Sequence, residues 1–73
     1  HHIPQPGLKI EDGKLVANAP YKGGEIRYNF GEATPTMEST LWSEPIDISE
    51  EVKVISARYF INGRASVTTT LRR

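Results

Sequence analysis

Seventy-three residues, 37% of them hydrophobic and 25% charged, make one small globular domain with a thin core and exclude a second. Nine basic residues balance nine acidic ones, so no net field draws in nucleic acid or an anionic membrane, and no apolar run approaches the ~20 residues needed to cross a bilayer. The absence of cysteine removes disulfides, thiolate metal sites and a thiol nucleophile together.

The chain starts "HHIPQPG". Two prolines and a glycine predict an extended lead-in from a preceding domain over residues 1–6, or the remnant of an affinity tag at His1-His2, with the folded domain running over residues 7–73. Leu8-Lys9-Ile10 alternates apolar and polar, and Asp12-Gly13 supplies the positive φ angles of a tight hairpin, so Leu15 to Asn18 reads as the return strand. Pro20 to Gly24 is a loop of structure breakers. Glu25 to Phe30 is the cleanest strand, with Ile26, Tyr28 and Phe30 on a core face and Glu25, Arg27 and Asn29 on a wet one.

A long polar stretch, "NFGEATPTMEST", follows, and Leu41-Trp42 then resumes as a short strand. Pro45 breaks it, Ile46-Asp47-Ile48 alternates again, and Ser49-Glu50-Glu51 reads as a turn. Val52 to Ile61 carries apolar groups on both faces, as a central strand does; Phe60 shares its face with Val52 and Val54. Asn62-Gly63 then predicts a hairpin with Val67 to Leu71 as the returning partner. No helical period emerges. About seven short strands, spaced by turns every 8–12 residues or so, give an all-β, small antiparallel β-sandwich.

In order, "PGLKIEDGKLVANAPYKGGEIRY", "PT…S.LW..PIDI" and "VKVISARYFINGRAS" resemble the C-terminal accessory domain of chitobiase and β-hexosaminidase enzymes, the family-20 glycoside hydrolases, from Pro6 to about Ser66. Two positions depart from that pattern: Gly31-Glu32-Ala33 stands where an Asp-Gly-Ser turn is usual, and Trp42 where a tyrosine is usual. The resemblance implies an immunoglobulin-like or fibronectin-type-III-like sandwich placed after the catalytic barrel and holding none of its catalytic residues. It makes the long polar stretch a crossover after the first core strand, with Thr34-Pro35-Thr36 as a rigid bend. It also implies a periplasmic or extracellular setting, and the catalytic domain of the same polypeptide as partner.

Read for chemistry, the residues offer little. Glycoside hydrolysis needs acidic groups at a set separation in a pocket, or one acid assisted by the substrate's acetamido group, whereas Glu11-Asp12 and Glu50-Glu51 both fall in turns. The histidines are His1 and His2 alone, so neither a metal site nor a serine nucleophile with its base can be assembled. No cofactor is expected, and the scattered arginines argue against nucleic acid. Carbohydrate binding is the competing function, because sugars stack on exposed rings. Most aromatic residues read as core, which leaves Tyr21 and Trp42 as candidate contacts to a glycan containing N-acetylglucosamine or to a neighbouring domain, with Thr34 and Thr36 beside them. Three functions are therefore expected in competition: a non-catalytic domain that packs against and stabilises its catalytic neighbour, a carbohydrate-binding module, and an independent fibronectin-like surface or adhesion module.

Overall fold

The computed structural model describes residues 2–73, and the expectation of a tag at His1 lies outside them. Among the described residues the chain forms eight strands and no helix. They are β1 (Gly7–Glu11), β2 (Lys14–Asn18), β3 (Glu25–Phe30), β4 (Thr40–Trp42), β5 (Ile46–Asp47), β6 (Val54–Ile61), β7 (Arg64–Ala65) and β8 (Thr69–Arg72). Two antiparallel sheets result: a small one in the order β1-β2-β5, and a larger one in the order β4-β3-β6, with β7 and β8 sharing the far edge of β6. This is the β-sandwich the alternation predicted.

Both hairpin turns form as their dipeptides require. Asp12 and Gly13 take φ values of 53° and 76°, and Asn62 and Gly63 take 53° and 72°, the left-handed pair of a type I′ turn. β2 buries Leu15 and Ala17 toward the larger sheet, and β6 answers with Ile55, Ala57 and Tyr59. The core divides into two clusters. One holds Ala17, Ile26, Ala57 and Tyr59, the other Leu15, Ile48 and Ile55, and the half-buried Leu8, Tyr28 and Trp42 pack against both. Burial holds the Tyr28 phenol above its usual pKa.

Four expectations are corrected. The stretch after β3 does not cross between sheets, because β3 and β4 are antiparallel neighbours in one sheet, with Ile26 opposite Trp42 and Tyr28 opposite Thr40. The crossings fall instead at residues 19–24, 43–45 and 48–53. Residues 31–39 fold back over the outer face of the larger sheet, held by Arg27 and Asn29, of the face read as wet, and by Ser56 and Arg58 of the central strand. The Ser56 hydroxyl donates to Gly31 O at 2.7 Å, the Asn29 amide to Ala33 O at 3.1 Å, Arg58 Nη1 to Pro35 O at 3.3 Å and Arg27 Nη1 to Ser39 O at 3.0 Å. Pro35 is fully buried beneath this cover. Loop carbonyls otherwise take water, so these donors let a loop serve as a partial third layer.

The second correction concerns the Asn62-Gly63 hairpin, whose immediate partner is β7. β7 pairs Phe60 with Ala65, whereas β8 pairs Ala57 with Thr69, so Ser66, Val67 and Thr68 stand opposite Arg58 and Tyr59 alone. That is a β-bulge. The buried Ser66 fills it: its amide donates to Tyr59 O at 2.9 Å, its hydroxyl accepts from Tyr59 N at 3.0 Å, and its carbonyl accepts from Arg58 Nε at 2.8 Å. The third correction is Phe30, which projects at the end of β3 and is 54% exposed, its ring 5.7 Å from that of Tyr28. Fourth, Phe60 lies outside the core on the outer face of the larger sheet, half-buried with the Arg58 guanidinium 5.5 Å from its ring centre.

Candidate functional site

Of the exposed apolar groups, Tyr21, Met37 and Leu41 line grooves at the end where the residue 19–24 crossing and the Asn62-Gly63 turn meet, whereas Phe30 and Val67 lie elsewhere. Three open grooves lie there. One of about 450 Å³ is lined by Tyr21, Leu41 and Trp42 with Asn18, Lys22 and Ser43 among its polar groups. A second of about 340 Å³ runs between His2, Ile3, Tyr21, Ile61, Asn62 and Arg64. The third, of about 530 Å³, includes Gly24, Met37, Phe60 and Gly63.

Tyr21 belongs to the first two, and its position is set from inside the core. The hydroxyl of the buried Tyr59 donates to Tyr21 O at 2.7 Å and accepts from Gly24 N at 3.0 Å. A buried phenol with both its donor and its acceptor engaged fixes the loop backbone on either side of Lys22-Gly23. The Tyr21 ring is left 54% exposed. Gly23, at φ 99°, makes the backbone reversal that a side chain would strain.

The four sequence-predicted contacts therefore part company. Tyr21 and Trp42 line one groove, but Trp42 is half-buried between the two core clusters and its indole Nε1 donates to Leu15 O at 3.0 Å. Thr34 and Thr36 sit exposed in the folded-back loop and line none of the three grooves. The Thr36 hydroxyl accepts from Glu38 N at 3.1 Å, and Thr36 N donates to the Ser39 hydroxyl at 2.9 Å, so this residue shapes a local turn. Sequence reading overlooked Leu41, Met37, Ile61 and Ile3. The position of Ile61, directly before a hairpin dipeptide, marks it for a sandwich end.

No hydrolytic arrangement is assembled among the described residues. Glu11 and Asp12 are exposed at the first hairpin turn, with Glu11 3.4 Å from Lys9; Glu50 and Glu51 are exposed in theirs. Glu25 is held 2.8 Å from Arg27. No group of three or more His, Asp or Glu side chains converges among the described residues. What the site can offer is contact: one exposed aromatic ring on a held backbone, aliphatic neighbours and a polar rim.

The family model for the chitobiase/beta-hexosaminidase C-terminal domain matches residues 1–66. No curated protein and no solved structure gives a significant match. The chain belongs to the chitobiase/beta-hexosaminidase C-terminal domain family.

Proposed function

From that membership we propose that the chain is a non-catalytic accessory domain, which packs against and stabilises the catalytic domain of the same polypeptide, a β-N-acetylhexosaminidase-like glycoside hydrolase. The observation that carries this reading is the anchoring of residues 3–6. Pro6 is fully buried, Thr69 Oγ1 donates to Pro6 O at 2.6 Å and accepts from Gln5 Nε2 at 3.0 Å, and Ile3 packs against the core. A tether fixed in this way limits where a preceding domain can sit, which supports packing between the two. Docking would stabilise both partners by removing apolar surface from water, at about 25 cal/mol per Å².

The test is thermal unfolding of the polypeptide with and without this domain. Loss of the domain should lower the catalytic domain's Tm, and an unchanged Tm would sink the reading. The family resemblance is likewise the ground for proposing a periplasmic or extracellular setting. Recovery of the polypeptide only from cytoplasm would contradict that.

A second reading, a weak site for N-acetylglucosamine-containing glycans, is favoured by the groove that joins Tyr21 and Trp42 to Asn18, Lys22 and Ser43. Amide NMR titration with N-acetylglucosamine and its β-1,4 oligomers decides it. Saturable shifts over residues 18–22 and 41–43 would support a glycan site, and their absence at millimolar sugar would remove it.

A further inference from the structure

We propose that the end face formed by Tyr21, Ile61 and Ile3 is the surface on which the preceding domain sits, with Tyr21 as its anchor. The inference rests on the accessory-domain reading and adds to it the place of contact.

The tether limits where a neighbour can be. Ile3 and His2 line the same groove as Tyr21 and Ile61, and residues 3–6 are pinned. Each residue spans at most ~3.6 Å, so a domain joined through only a few residues would start beside that groove. Short tethering raises the effective concentration of the nearest surfaces over all others. The nearest surface is also apolar: Tyr21 is 54% exposed and lines one groove with the half-buried Ile3 and Ile61. Phe30, by contrast, stands opposite Ile55 at the far end of β3, and Val67 projects alone from the bulge; single exposed apolar residues need no partner.

Preorganisation favours Tyr21 as anchor. Its backbone is already held through the Tyr59 hydroxyl, so docking would not have to order the loop, and a tyrosine with few rotors loses little side-chain entropy on contact. The partner that fits is a protein surface with an apolar depression for a single ring.

Hydrogen–deuterium exchange, comparing the 73-residue chain with the intact polypeptide, separates this inference from the reading beneath it. Slower exchange over residues 19–24 and 61–65 in the intact polypeptide is expected, lost again in Tyr21→Ala and kept in Phe30→Ala. Protection confined to another face, such as Lys9 and Val16 or the loop at 31–39, would overturn the proposed surface and leave the accessory reading standing. Protection on no face would overturn both. Because Tyr21 is held through its carbonyl, Tyr21→Ala should leave the Tm of the 73-residue chain unchanged. A fall there would mean the ring serves the fold, and would overturn its role as anchor.

Discussion

The buried hydroxyl of Tyr59 accepts a hydrogen bond from Gly24 N at 3.0 Å, and a methyl group on Gly24 would collide with that same phenol and with Phe60 O. Gly24 is thus held to glycine by close approach, and the contact ties a surface loop to the centre of the core. Tyr59→Phe leaves the Gly24 amide and the Tyr21 carbonyl without their partner and should cost about 1–3 kcal/mol. Gly24→Ala should cost a similar amount, about 1–3 kcal/mol, by overpacking. Each is read by urea unfolding of the 73-residue chain. A Tyr59→Phe variant as stable as the parent would mean that the latch contributes nothing.

The bulge at Ser66 makes its own prediction. The Ser66 hydroxyl takes the acceptor place that a backbone carbonyl would hold in an unbroken ladder, facing the buried Tyr59 amide. Ser66→Ala should cost about 1–3 kcal/mol through the orphaned amide. Val67→Ala, at the exposed bulge residue, should stay within about 0.5 kcal/mol. Faster exchange of the Tyr59 amide in Ser66→Ala would locate the loss. Equal stability of the two variants would refute the account.

The folded-back loop should be separable from the core. Arg58 donates to both Pro35 O and Ser66 O, so Arg58→Met removes a clasp on the loop and one on the bulge. A loss of about 2 kcal/mol is expected, less than two fully buried charged hydrogen bonds would give because Arg58 is only half-buried. Exchange should quicken over residues 32–38 while the β3–β6 ladder keeps its protection. Unchanged exchange in the loop would show that the buried Pro35 ring, and no arginine, holds it down.

These cases mark where sequence reading works. Asp12-Gly13 and Asn62-Gly63 need positive φ wherever they stand, so both hairpins were legible locally. Leu15 to Asn18 was legible as the return strand because the Asp12-Gly13 turn precedes it. The polar outer face was not: Arg27, Asn29, Ser56 and Arg58 look solvated until the loop carbonyls that they bind are known, and those come from residues 31–39 through contacts no period encodes. Phe30 failed otherwise, since alternation assigns a face and cannot say where the opposing sheet ends. Of the site, Tyr21 was visible as an aromatic in a breaker loop, but the tie from its carbonyl to Tyr59 spans 38 residues of sequence.

The last prediction concerns pH. Arg72 at the end of β8 lies 2.7 Å from Glu32 in the folded-back loop, and this hydrogen-bonded charge holds the Glu32 carboxyl below its ordinary value of 4.5. A depressed carboxylate adds stability above its unfolded pKa, and that contribution is lost as pH falls through the lower, folded value. Both side chains are more than half exposed, so the pair is screened and its effect small. The parent should therefore unfold at a slightly higher temperature than Glu32→Gln at neutral pH. The two should converge as pH drops below 4.5, and also at neutral pH when salt is added. Calorimetric scans of both proteins from neutral pH downward test this. A gap that widens on acidification would mean that Glu32 acts through something other than its charge.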